Sequence, residues 1–119
     1  MKKINDIDQL SLPALYKSTI SFMVNKLREF PIVKDIILFG GCARQNISAC
    51  SDIDLVLVVA EPLSMEDEWS IDYSIRKWEV NLPCDIIFIT SDALNQEIKG
   101  ETIIRPILRE GILLNGLLI

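Results

Sequence analysis

Asp52-Ile53-Asp54-Leu55-Val56-Leu57-Val58-Val59 is the stretch that decides how this chain folds. It is rich in β-branched residues and bounded by polar or turn residues, which predicts a central strand with two acids at its entry end. Side chains on a strand alternate faces with a period of two. Asp52 and Asp54 are therefore expected on one side of the sheet, flanking an inward-facing Ile53. Like charges held that close raise the free energy unless a cation lies between them, and oxygen-only ligands suit magnesium or manganese. An Asp-x-Asp pair alone is more often a turn or surface feature.

Upstream, the apolar run Ile36-Ile37-Leu38-Phe39 reads as a buried strand that ends in a tight turn at Gly40-Gly41. Glycines let backbone N–H groups approach a phosphate closely, and the positive end of a following helix favours the anion. By itself a Gly-Gly turn is usually only a turn. Arg44, just beyond, is open to two readings: a surface or salt-bridged residue, or a phosphate contact. A polar stretch through Asn46 and Ser48 leads on to the acids.

Ser11-Leu12-Pro13 carries helix-start signals, and Leu15, Thr19, Phe22, Met23, Leu27 and Phe30 recur at helical spacing until Pro31. These predict an amphipathic helix with that face on the core. Past Glu61-Pro62, the spacing of Ile71, Ile75, Trp78 and Leu82 predicts a second one. Cys84-Asp85-Ile86-Ile87-Phe88-Ile89-Thr90 reads as a third buried strand, with Ser91-Asp92 as the cap of a short helix through Ile98. A last helix is expected from about Thr102 to Glu110, stopped by Gly111. There is no internal repeat, low-complexity segment or linker, so strands alternating with helices describe one α/β domain over residues 1–119. If the Asp85 strand lies beside the Asp52 strand, three carboxylates converge on one sheet edge, enough to hold two metal ions and activate a hydroxyl. The plainer alternative is that Asp85 marks a strand end at the solvent boundary.

Composition narrows the function. At 119 residues the chain has the length of one domain, so a second substrate larger than a small molecule is expected on another chain. Half the residues are hydrophobic, 24% are charged and mean hydropathy is +0.31, the balance of a packed globular protein. A net charge of -5 argues against gripping nucleic acid unaided and favours protein partners; a polyphosphate would be repelled unless cations came with it. Cys42, Cys50 and Cys84 lack metal-ligand spacing and histidine is absent, so zinc and disulfide scaffolds are not expected. The start, Met1-Lys2-Lys3-Ile4-Asn5-Asp6, has no apolar signal stretch, and no apolar run approaches the ~20 residues that cross a bilayer. The expected location is the cytoplasm.

Taken together, Gly40-Gly41, ten further residues and then Asp52-Ile53-Asp54 resemble the Gly-Ser-x10-Asp-x-Asp signature of the DNA polymerase β nucleotidyltransferase superfamily. Leu38-Phe39-Gly40-Gly41-Cys42-Ala43-Arg44, Ser51-Asp52-Ile53-Asp54-Leu55 and Ile107-Leu108-Arg109-Glu110-Gly111 look like the minimal nucleotidyltransferases of bacteria and archaea. The likeness runs from about residue 10 to 115. It implies a small mixed sheet flanked by helices, with Asp52, Asp54 and Asp85 as metal ligands and catalytic acids. Gly40, Gly41, Arg44 and Ser51 would bind the nucleotide, ATP, with Mg2+ or Mn2+. The implied reaction is transfer of AMP to an acceptor hydroxyl. The implied partner is a HEPN-family toxin, this chain being the antitoxin that adenylylates it.

Two positions depart from the signature: Gly41 replaces the family's serine, and Gln45 replaces the glycine that follows the arginine. A missing hydroxyl removes one hydrogen bond to a charged group, worth about 1.5–3 kcal/mol, which weakens phosphate binding or turnover without abolishing it. Gly41 also supports an alternative of another class, a pseudoenzyme that binds nucleotide or partner without catalysis. A more distant one is transfer to a small hydroxyl compound, as aminoglycoside-modifying relatives do.

Overall fold

The computed structural model describes residues 1–45, 52–76, 82–95 and 104–117. In chain order the elements are β1 (Lys2–Lys3), α1 (Ala14–Leu27), β2 (Val33–Phe39), α2 (Gly40–Ala43) and β3 (Ile53–Val59). They continue with α3 (Met65–Arg76), β4 (Cys84–Thr90), α4 (Ser91–Asn95), α5 (Ile104–Glu110) and β5 (Ile112–Leu113). One 3-10 turn, Ile7–Gln9, precedes α1; the Asp6 carboxylate accepts from the Asp8 N–H and closes a capping box with Gln9.

The strands form one mixed sheet in the order β1-β5-β2-β3-β4. β3 runs parallel to β4 and antiparallel to β2, so it is central, as its apolar run predicts. Every β3 side chain except Asp54 is buried. Burying a Val, Leu or Ile side chain contributes about 1.5–3 kcal/mol, so on the order of 10 kcal/mol holds the strand that carries the acid. That makes β3 a rigid platform.

The two sheet faces are covered unequally. Ile53, Leu55, Leu57, Ile36 and Leu38 pack with α1 and α3 residues such as Ile20, Met23, Leu27, Ile71 and Ile75 in the larger core. Ile37, Val56 and Val58 pack with Ile107 of α5 in a smaller one. By strand parity Asp54 belongs to the smaller-core face. The C-terminal segment closes the far side: the Asn115 side chain accepts from the Ile36 N–H at 2.8 Å, and the Arg28 guanidinium donates to the Asn115 and Leu117 carbonyls. No helix among the described residues is long and apolar enough to cross a membrane.

Several expectations need correction. Met23 and Leu27 of α1 are buried as expected, but Tyr16, Ile20 and Val24 complete the buried face while Leu15 is 51% exposed, so the helix is rotated somewhat from the expected stripe. β4 is an edge strand in which only Cys84 is fully buried, not a buried strand. The cap of α4 is Thr90, whose Oγ1 accepts from the Ala93 N–H at 3.1 Å, because Ser91 is already helical. Leu82 packs on the core ahead of β4. Asn46, Ser48, Cys50, Ser51, Trp78, Ile98 and Thr102 lie outside the described residues.

Candidate active site

Asp54 is the second residue of β3 and Asp85 the second of β4, and the parallel register sets them directly opposite one another. Facing residues on neighbouring strands share a sheet face, so both carboxylates project from the smaller-core side. Local sequence pattern places each acid at a strand start; only the pairing of the strands brings them together. Asp52 lies one residue ahead of β3, half-buried.

Burial raises the Asp54 carboxyl above its ordinary range, and the negative charges of Asp85 and Asp52, together with a hydrogen bond to Asp85, push it further; Arg44 opposes them. The three acids thus act on one another, with Asp54 at the centre. As they stand, no group of three or more His, Cys, Asp or Glu side chains among the described residues is arranged to hold a metal ion. Asp54 and Asp85 thus meet as a carboxyl pair across the two strands, with Asp52 adding its charge beside them.

The glycine turn wraps this pair. Phe39 pairs with Asp54 across β2 and β3, and Gly40 follows at φ 72°, in the left-handed region where a Cβ is strained. A Cβ on Gly40 would overlap Asp54 Oδ2. Gly40 therefore serves the acid as well as the turn. Gly41 is buried in α2, in a helical conformation that serine also adopts. The Cys42 thiol donates to the Asp52 carbonyl at 3.3 Å, tying α2 to the backbone of the first acid.

Arg44 is exposed and pairs with Glu110 of α5 at 3.5 Å, while its charge still reaches Asp54. Its salt-bridged reading is thus realised, and the pairing ties the glycine turn to the motif around Glu110. An ion pair this exposed contributes at most about 1 kcal/mol, so the guanidinium is held only lightly.

Contacts of two further residues, Arg76 and Gln45, escaped the sequence reading. Arg76 donates from Nε to Asp72 Oδ2 at 2.7 Å and from a terminal nitrogen to the Cys84 carbonyl at 2.9 Å, pinning the start of β4 beside Asp85. Asp72 and Arg76 stand at helical i,i+4 spacing, a signal visible in sequence, but the Cys84 carbonyl across the gap is not. Gln45 occupies the left-handed region at φ 59° and accepts from the Ser11 N–H through its side chain. Glycine, the residue that the resemblance implies at this position, adopts such a backbone without strain. A non-glycine residue in this region is strained by about 1–2 kcal/mol, and the Ser11 bond offsets part of that.

Gln45→Ala keeps the strain and loses the bond, and is expected to destabilise the fold by about 1 kcal/mol. Gln45→Gly removes both, so it should exceed Gln45→Ala in stability by about 1 kcal/mol in urea denaturation. Equal stability of the two variants would show that the left-handed backbone carries no strain.

Residues 23–115 match the family described as "Polymerase beta, Nucleotidyltransferase". Comparison with curated proteins gave no match. Among solved structures, the toxin-antitoxin MntA-HepT contains a chain 18% identical, with TM-score 0.53, covering 82% of this chain and 69% of that one. A toxin-antitoxin with AMP-PNP matches at 18% identity and TM-score 0.55, covering 78% and 69%. A tri-AMPylated Shewanella oneidensis HEPN toxin in complex with MNT antitoxin matches at 17% identity and TM-score 0.54, covering 82% and 69%. Likeness at such identities is likeness of fold. The family match, by contrast, spans most of the sequence and contains the glycine turn, Asp52, Asp54 and Asp85: this chain belongs to the polymerase beta nucleotidyltransferase family.

Proposed function

We propose that the chain is a metal-dependent nucleotidyltransferase that moves AMP from ATP to a hydroxyl on a partner protein, acting in the cytoplasm as the antitoxin of a HEPN toxin. The observation that carries this is the direct pairing of Asp54 with Asp85, beside Asp52 and over the Gly40 turn. Family membership supports the reaction class. The AMP-PNP-bound and tri-AMPylated complexes of similar fold support the nucleotide and the partner.

The donor set fits a hard divalent cation: the acids offer only oxygen, and their mutual repulsion is what such a cation relieves. Asp52, Asp54 and Asp85 would hold Mg2+ or Mn2+, which when bound neutralises the triphosphate and stabilises charge on the transferring phosphoryl group. Gly40 lets the phosphates approach closely and the Gly41 N–H donates to a phosphate oxygen, while Arg44 exchanges Glu110 for another. Asp85, the exposed acid on the edge strand, takes the proton of the acceptor hydroxyl. The acceptor oxygen then bonds to the α-phosphorus as the bond to the bridging oxygen breaks, and pyrophosphate leaves with that electron pair. Positioning and charge do most of the work.

The carboxylates and the triphosphate repel each other until a cation bridges them. Mg2+ with ATP should therefore raise the melting temperature more than either alone. With ligand at a hundred times Kd the gain is about 2.7 kcal/mol, a rise of roughly 10 °C. A thermal melt in which ATP without divalent ion raises the midpoint as much as the pair does would rule out the metal-bridged site.

A further inference from the structure

The outer face of α3 carries no role in the site. Met65, Trp69 and Tyr73, spaced four residues apart, lie 87%, 65% and 51% exposed, whereas Ile71 and Ile75 on the inner face are buried. Large exposed apolar side chains aligned on one helix face are more than the scatter a soluble surface normally shows. The Trp69 and Tyr73 rings stack at 5.2 Å between centroids and 7° between planes, a parallel aromatic pair on the outer face of the helix. Met65, Glu66, Trp69 and Ser70 line a shallow groove of about 490 Å³ beside it.

Charge selects the occupant. Glu66, Asp67 and Glu68 crowd the first turn, and Asp72 follows; the single base of the helix, Arg76, is engaged with Asp72 and the Cys84 carbonyl. Nucleic acid and anionic lipid are repelled by such a face. A second copy would bring the same acids against each other. An arginine- or lysine-bearing protein surface fits on both counts, because a guanidinium stacks on an aromatic face while carboxylates at the rim satisfy its donors.

We infer that the Met65, Trp69 and Tyr73 face of α3 is the anchoring surface for the partner protein, which presents an arginine- or lysine-bearing apolar segment to it. This rests on the partner reading above. α3 covers the larger-core face, whereas the acids project from the other, and edge strand β4 lies between them. Docking and transfer are therefore separable, and binding survives loss of the chemistry.

The test uses the full chain with a HEPN-family protein from the same genome, by titration calorimetry. Trp69→Ala with Tyr73→Ala should weaken the complex at least about tenfold, the scale of an aromatic hot spot, with urea denaturation of the isolated chain unchanged. Glu66→Lys with Glu68→Lys should weaken it similarly, and the difference from the parent should shrink at 1 M salt. Asp54→Asn should bind as the parent does. A parental complex that the Trp69 and Tyr73 variant leaves intact overturns the anchoring surface and leaves the partner reading standing; no complex with the parental chain sinks that reading, and the surface assignment with it. A parental homodimer that the Trp69 and Tyr73 variant turns into a monomer assigns the face to a second copy and also overturns the inference.

Discussion

Gly40→Ala is expected to destabilise the fold by about 2–5 kcal/mol, because two independent penalties meet at one atom. A Cβ at φ 72° is strained by about 1–2 kcal/mol. The same Cβ would also overlap Asp54 Oδ2, and forcing atoms into filled space costs about 1–3 kcal/mol. Asp54 cannot withdraw freely, since it sits near the start of a strand whose other side chains are all buried. Urea denaturation separates the two causes through the double variant with Asp54→Gly. Removing the carboxylate should recover the overlap share, a coupling of about 1–3 kcal/mol, and leave the backbone share. Transfer activity should fall with either substitution. Gly40→Ala within about 0.5 kcal/mol of the parent would mean that the turn and the acid do not touch as described.

How much of this was legible beforehand follows from how local each signal is. β3 and β4 were readable because unbroken β-branched and apolar runs are local, and β4 appears with the expected bounds, Cys84–Thr90. The glycine turn and its distance to Asp52 and Asp54 were readable because they depend only on spacing. The face of α1 was legible only in part: Met23 and Leu27 are buried as expected, but residues 15 and 19 and residues 16 and 20 both step at helical intervals, and packing against α3 decides that Tyr16 and Ile20 go in. β1 and β5, two residues each, leave no periodicity to detect.

The site shows the same division. Each acid could be nominated from its place at the head of an apolar run, but that Asp54 faces Asp85 is a property of strand register, which no spacing in the chain encodes. Gln45 is visible in the sequence as a departure from the signature, yet its left-handed backbone, which gives the departure its physical meaning, belongs to the folded turn. The hold of Arg76 on the Cys84 carbonyl is likewise tertiary, joining a helix end to a strand start. Ser51, the remaining nominated residue, lies outside the described residues.

Asp54→Asn should lower transfer by at least about a hundredfold, the scale on which a group aimed at the reacting charge acts. The same variant in EDTA should be as stable as the parent or more so. Asp54 is the acid on which the others converge: burial, Asp85 and Asp52 all favour its protonated form. A carboxyl with its folded pKa raised above 3.8 gives its full stabilisation below the unfolded value and loses it as pH rises through the folded one. At neutral pH without metal, the ionised Asp54 therefore works against the fold. Asparagine has nearly the same shape, carries no charge and keeps an N–H for Asp85, so its stability relative to the parent should improve as pH rises from below 3.8 to 7. A structural acid behaves oppositely: if Asp54 were held by backbone donors, asparagine would cost about 1–3 kcal/mol at neutral pH. Urea denaturation in EDTA at both ends of this pH range, paired with transfer assays, separates the cases. A variant clearly less stable than its parent at pH 7, with transfer intact, would remove Asp54 from the metal site and leave the pairing with Asp85 as a feature of the sheet alone.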